Sequence, residues 1–197
     1  MQKVIILPGL GDHVRYIKWA TRNWSQVGLE PIIHPMYWYD GKDFKTKLDE
    51  VISLVDDLSK TSELSVVGCS AGGSAALNVF AARPNKIKRA VSICGRLKIG
   101  NKIGFRSLEA RAVKSPAFAE SVTFFEKQEK NLTENQRKRI VTIRARFGDE
   151  LVPSDTASLE GGRNILVPTP EHSLSIYASL KFLKSLKAFL KEAPVPI

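Results

Sequence analysis

The chemistry-bearing residues of this sequence fall into three short stretches, each next to an apolar run. The first is Gly68-Cys69-Ser70-Ala71-Gly72. Leu64, Val66 and Val67 precede it as strand formers. Gly72 to Ala76 follow as a small-residue stretch that continues through Leu77, Val79 and Phe80 at helical spacing. Strand, sharp turn and helix place Ser70 at an apex, the arrangement of a nucleophile elbow. The glycines have a steric purpose: a side chain two positions from so tight a turn would collide with it. The helix that starts just after Ser70 aims free N–H groups and its positive end at the site, which suits an oxyanion. A serine hydroxyl is inert without a base, and the base needs an orienting acid. Of the three histidines, His13 falls in the first loop and His34 within a strand, both ordinary structural positions. His172 lies in Pro170-Glu171-His172-Ser173, directly after the last apolar run. The acid is expected in Phe147-Gly148-Asp149-Glu150-Leu151-Val152-Pro153, where Asp149 is the first carboxylate after a glycine that frees the turn. Asp155 is the reserve acid, with helix capping its commoner use.

These turns need elements to hold them. Val4–Leu7, Pro31–Met36, Leu64–Val67, Arg89–Cys94, Ile140–Phe147 and Asn164–Val167 read as six strands. Apolar residues at helical spacing predict a helix from Val14 to Val27 stopped by Gly28, and one from Phe44 to Leu58 with Asp43 as N-cap. A short helix is expected over 154–160, and a last one carries Leu174 to Leu190. Alternation of strand and helix implies a doubly wound, three-layer α/β sheet of about six mainly parallel strands, with ligand at the carboxyl ends. The whole chain, 1–197, reads as one domain. The connection over 96–139 is too long for a plain crossover and reads as a helical insertion or lid. It offers Ser115-Pro116 as a helix start and Thr133-x-x-Gln136 as a capping box. Of Phe124 and Phe125, one is expected to pack on the domain and the other to approach the cleft. Tyr37, Trp38 and Tyr39 either line a pocket or pack within their loop.

On Gly68-Cys69-Ser70-Ala71-Gly72, Gly148-Asp149-Glu150-Leu151-Val152-Pro153, His172 and the order serine, acid, histidine, the chain resembles a small esterase- or lipase-like serine hydrolase of the α/β-hydrolase fold. The resemblance spans nearly the whole length. It implies Ser70 as nucleophile, His172 as base, Asp149 as acid, and the backbone N–H groups of Leu10 and Ala71 as oxyanion donors. Three departures stand out: Pro8 replaces a histidine before Gly9, two strands before that loop are absent, and Glu171 occupies the position of a glycine. The implied activity is cleavage of a carboxylic ester or thioester through an acyl-enzyme. Acyl transfer or amide cleavage on the same triad, and a non-catalytic binding protein using the basic insertion, are the rivals. No metal or organic cofactor is required by this chemistry.

Composition fits that class. An apolar fraction of 43% is that of a globular chain, and Cys69 and Cys94 read as small core residues rather than a disulfide or metal set. No run reaches transmembrane length, and the N-terminal apolar run is too short for a signal peptide, so a cytoplasmic protein is expected. The net charge of +10 is uneven: residues 83–147 hold 17 Lys/Arg against 5 Asp/Glu. That surplus is expected to rim the cleft and to favour an anionic or lipid-like acyl ester. No nucleic-acid-binding signature accompanies it.

Overall fold

The computed structural model describes residues 1–101, 104 and 107–192. Residues 102, 103, 105 and 106 of the expected insertion, and 193–197 at the C-terminal end of the expected domain, lie outside the described residues. The apolar runs form β1 (Gln2–Leu7), β2 (Leu29–Ile33), β3 (Leu64–Cys69), β4 (Ile87–Ile93), β5 (Ile140–Ala145) and β6 (Arg163–Val167). They make one sheet in the order β2-β1-β3-β4-β5-β6, and every pairing is parallel.

Side-chain alternation divides the core. Ile5, Leu7 and Val66 face α2 (Phe44–Leu58), α3 (Ala71–Ala82) and α5 (Pro116–Glu129). Val4, Ile6, Val67 and Val91 face α1 (Val14–Thr21), α7 (His172–Phe182) and α8 (Lys184–Lys191). With both faces covered, the inner strands are mainly apolar, with Ser65, Arg89, Ser92 and Thr142 as buried polar exceptions. The strand order reverses direction at β1, because β2 lies on one side and β3 on the other. Leu7 pairs with Gly68 across that junction, so the loop leaving β1 runs beside the turn leaving β3. This switch point is where parallel sheets hold ligands.

Three helices differ from expectation. The helix begun at Val14 ends at Thr21, and Trp24–Val27 form a separate 3₁₀ turn closed by Gly28. The cause is Trp24, which turns inward so that its indole donates to Leu180 O at 2.8 Å. The last helix is broken at Leu183, whose backbone is extended, and α8 then carries Leu186, Phe189 and Leu190 under the sheet. Only Ser154–Thr156 form a helical turn in the segment before β6. The Asn164 side chain bonds both the N–H and the C=O of Leu159, at 3.1 and 3.0 Å, and holds that stretch as a loop.

Between β4 and β5 lie α4 (Leu108–Ala112), α5 and α6 (Glu134–Arg137). Ser115 caps α5 and donates its hydroxyl to Trp38 O at 2.8 Å, while Thr133 and Gln136 form a reciprocal capping box on α6. The buried stripe of α5 includes Phe118, Ser121, Val122 and Phe125, set against α3 by Ser74–Ser121 at 2.6 Å and Asn78–Ser121 at 2.8 Å. Phe125 is buried as one of the pair was expected to be, but Phe124 does not approach the cleft. It lies edge-on to Phe44 of α2. The basic surplus is also placed differently. Arg83 and Lys86 hold Asp56, Lys88 and Arg89 lie at the start of β4, and Arg137 and Lys138 just precede β5. The reason is that the chain enters β4 and β5 at the amino end of the parallel sheet, so the cations just before those strands lie at the end opposite Ser70.

Candidate active site

Ser70 joins β3 to α3 with φ 54° and ψ −121°, a conformation that costs a non-glycine residue about 1–3 kcal/mol. The neighbouring backbone leaves no room around it. A Cβ on Gly68 would stand 1.9 Å from Gly72 O, and one on Gly72 would stand 2.1 Å from Leu7 O. The collisions are with main chain, so no side-chain adjustment could relieve them. The Ser70 N–H donates to Ile93 O at 2.9 Å and fastens the turn to the end of β4.

The acid and the histidine hang from the last two strands. Arg146 N–H donates to Val167 O at 2.8 Å and holds the ends of β5 and β6 together. Asp149 follows Gly148, whose φ is 117°. Its Oδ1 accepts from the N–H groups of Leu151 and Val152 at 2.9 and 2.8 Å, which leaves Oδ2 aimed at His172. His172 opens α7 and is buried. Its Nδ1 lies 2.7 Å from Asp149 Oδ2, and its Nε2 lies 2.8 Å from Ser70 Oγ. A carboxylate only accepts, so Nδ1 carries the proton and Nε2 is left to accept from the serine. Burial alone would raise the Asp149 pKa. The hydrogen bond and charge of His172, with the two backbone N–H groups, outweigh that and hold it below the ordinary carboxylate value. Glu171 caps α7 by accepting from Ser173 and Leu174 N–H, and Glu150 Oε2 accepts from the His172 N–H at 3.0 Å. The backbone of His172 is thus fixed by two carboxylates, one of which stands where the resemblance implied a glycine.

Leu10 and Ala71 both line a cavity of about 40 Å³ beside Ser70, completed by Arg96, Phe118, Leu151 and Val152. Among the described residues, neither the Leu10 nor the Ala71 N–H has a hydrogen-bond acceptor. The loop carrying Leu10 is held from behind, where the buried Trp38 indole donates to Pro8 O at 3.1 Å and Asp12 Oδ1 accepts from Met36 N–H at 2.8 Å.

The remaining candidates lie elsewhere. Asp155 is exposed, and its short 3₁₀ turn has no side-chain cap. His13 is exposed with its ring near Tyr16, and burial lowers the pKa of His34 against the opposing fields of Glu50 and Asp12. Tyr37 and Tyr39 are exposed, while Trp38 supports the loop from behind and meets Phe118 edge-on. Cys69 points into the core, where burial pushes its thiol up to about 12. Arg96 and Glu150 carry no site signal in the sequence, and Phe118 reads there only as one of the apolar packing residues of the insertion, with Val122, Phe124 and Phe125. Cys94 Sγ, an Asp149 oxygen and a His172 nitrogen lie within 4.8 Å of one another. A cation held by these three atoms would compete with the 2.7 Å His172–Asp149 bond and require a thiolate that burial and the Asp149 charge disfavour. The donor set therefore fits a histidine–carboxylate pair better than a metal.

No protein-family model and no curated protein sequence matches the chain. Solved structures do. An α/β-hydrolase enzyme, MGS-MChE2, from the metagenome of sediments of the Mar Chica lagoon, Morocco, aligns with a TM-score of 0.68 at 17% identity, over 96% of this chain and 88% of its own. Est1E from Butyrivibrio proteoclasticus aligns with 0.65 at 14% identity, over 96% and 86%. A soluble variant of monoglyceride lipase from Saccharomyces cerevisiae aligns with 0.65 at 12% identity, over 99% and 87%. At such identities the likeness is one of fold: the chain has the α/β-hydrolase fold, with six parallel strands between helices on both faces.

Proposed function

We propose that the protein is a serine hydrolase of carboxylic esters or thioesters, with Ser70 as nucleophile, His172 as general base and acid, and Asp149 as the group that orients the histidine. The observation that carries this reading is the unbroken hydrogen-bonded row from Asp149 through His172 to Ser70, at 2.7 and 2.8 Å. Ser70 Oγ attacks the acyl carbon as its proton passes to His172 Nε2. The carbonyl oxygen becomes an oxyanion held by the N–H groups of Leu10 and Ala71, about 3 kcal/mol per donor. The tetrahedral intermediate collapses, the C–O or C–S bond to the leaving group breaks, and Nε2 returns the proton to that group. Water then attacks the acyl-enzyme by the same route, and the acid leaves with Ser70 Oγ reprotonated. Asp149 stays ionised and stabilises the imidazolium formed in each half-reaction.

The cavity beside Ser70 favours a short acyl group. Its volume of about 40 Å³ is small beside the roughly 300–1,000 Å³ of ordinary ligand pockets. We take the segment over 96–139 as the wall of that cavity through Arg96 and Phe118, which is the sense in which it acts as a lid within a single domain. The kinship of fold with esterases and a lipase is compatible with this chemistry without fixing it. Fluorophosphonate labelling and a series of p-nitrophenyl esters test it together. The expected result is labelling that disappears in Ser70→Ala at unchanged melting temperature, with turnover highest for acetate and falling as the acyl chain lengthens. Full-rate labelling of Ser70→Ala would overturn the assignment.

A further inference from the structure

A second surface of the molecule has a composition unlike the rest. Residues 14–28, which include α1, and residues 172–191, which form α7 and α8, together hold seven Lys/Arg and no Asp/Glu, in a chain with 20 acidic residues. Side by side, α1 and α7 bring large apolar groups to the exterior. Tyr16, Trp19, Leu174 and Phe182 are 60%, 46%, 50% and 68% exposed. Tyr177 and Lys181 link the aromatic members across the two helices. The Tyr16 ring lies 5.7 Å from Tyr177, and Lys181 Nζ stands 3.2 Å from the centre of the Trp19 ring and 5.6 Å from that of Phe182. Next to these rings, Arg15, Lys18 and Arg22 recur at i, i+3 and i+7 along α1 and its C-cap, one exposed stripe of cations. The Lys181 pKa is lowered, first by desolvation and then by the charge of Arg22, as expected where cations crowd without an acidic partner.

Isolated exposed apolar residues are ordinary, but a contiguous aromatic strip edged by one sign of charge marks an interaction face. Aromatic rings with long basic side chains are the pair that partitions into the headgroup region of a bilayer, rings inward and charges on anionic lipid. Leu174 has no ring face on which a base could stack, whereas a bilayer takes aliphatic and aromatic groups alike. The face adjoins the site at one end. The first residues of α7 include His172 and Leu174, and α1 begins four residues after Leu10, which lines the Ser70 cavity. The mouth of the site lies at the same end as the start of both helices, while Trp19, Arg22, Lys181 and Phe182 lie toward their C-terminal ends. Among the described residues no helix is long and apolar enough to cross a membrane, so this contact is peripheral.

We propose that the α1–α7 face is a docking surface for anionic lipid bilayers, with Trp19 and Phe182 entering the headgroup region and Arg15, Lys18, Arg22 and Lys181 meeting lipid phosphates. This does not depend on the chemistry assigned to Ser70 and is read out without turnover. Sedimentation with vesicles of phosphatidylcholine alone, or with 30 mol% phosphatidylglycerol, gives the partition coefficient. Tryptophan emission reports the contact, because Trp24 and Trp38 are already buried and only Trp19 is free to change surroundings. Binding to the mixed vesicles with a blue shift is expected, with little binding to phosphatidylcholine. Each juxtamembrane cation contributes about fivefold, so the triple variant Arg15→Glu, Lys18→Glu, Arg22→Glu lowers the partition coefficient at least about 100-fold. Trp19→Ala, checked by melting temperature, abolishes the blue shift and weakens binding. Three results would overturn the proposal: no binding of the unmodified protein at low salt, binding that survives the triple reversal, or binding of a 20-nucleotide single strand without binding of vesicles.

Discussion

Replacing Asp149 with asparagine is the sharpest perturbation the geometry offers. Asparagine has nearly the shape of aspartate but one fewer acceptor, so the outcome depends on which way its amide turns. Two backbone N–H groups, of Leu151 and Val152, donate to Oδ1 at 2.9 and 2.8 Å. They accept only the oxygen of the new amide. The NH₂ must then face His172 Nδ1, where the carboxylate oxygen stood at 2.7 Å. Nδ1 becomes the acceptor, the ring proton moves to Nε2, and Ser70 Oγ faces a donor in place of a base. Turning the amide the other way would strand two buried N–H groups at about 1–3 kcal/mol each, so the wrong tautomer prevails. A wrong tautomer with geometry preserved lowers kcat by about 10⁴, or about 5.5 kcal/mol. The assay is hydrolysis of p-nitrophenyl acetate at neutral pH beside a thermal melt, with Asp155→Asn as a companion expected to keep full turnover. An Asp149→Asn protein retaining more than a tenth of normal kcat would refute the orientation argument. Exchanged behaviour of the two variants would make Asp155 the acid.

Trp38→Phe removes the indole donor to Pro8 O and leaves that carbonyl unpaired, at about 1–3 kcal/mol of stability. Because the loop it holds carries Leu10, kcat should fall about tenfold with KM nearly constant, and a parallel rise in KM would show that Trp38 shapes substrate binding instead. Gly72→Ala drives a methyl to within 2.1 Å of Leu7 O and 2.7 Å of Pro8 O. Destabilisation should exceed about 4 kcal/mol, seen as insoluble expression or a collapsed melting temperature. Asp56→Asn tests the far end of the sheet. Hydrogen bonds from Arg83 and then Lys86 hold the Asp56 carboxyl well below its ordinary value of 3.8. A depressed pKa contributes stability above the unfolded value and loses it as pH falls through the folded one. The melting-temperature gap between Asp56→Asn and the unmodified protein should therefore be full at neutral pH and narrow as the pH drops below 3.8.

The strands and the three central residues were legible because each obeys local rules. Ser70, Asp149 and His172 each follow an apolar strand, and in a parallel sheet the carboxyl ends share one edge. What escaped was set by tertiary partners. Nothing local marks Trp24 as the residue that ends a helix, since its indole's acceptor is Leu180, far along the chain. Phe118, Val122 and Phe125 form an i, i+4, i+7 stripe that decides which of Phe124 and Phe125 packs inward, and the ring that reaches the cavity is Phe118. Which face of α5 turns inward is fixed by Ser121 meeting Ser74 and Asn78 on α3. Glu171 looked like a departure from pattern and is the cap on the helix that presents His172. Arg96 had no sequence signal at all, because only the path of the chain after β4 brings it to the serine. The regional charge count was correct as arithmetic, but it could not show that the cations before β4 and β5 enter at the end of the sheet opposite Ser70.

The placement of the acid and the histidine has a consequence for how the protein fails. Asp149 follows β5, and His172 follows β6, an edge strand paired only with β5 and partly open to solvent. Ser70 belongs to the middle of the sheet. Edge segments with few covering contacts open at lower free energy than the interior. If β6 detaches together with α7, the base leaves the serine while β3, the elbow and most of the core stay folded. Catalytic competence should therefore be a property of a subglobal unit, lost in mild urea ahead of the global transition and recovered as quickly as one strand can re-dock.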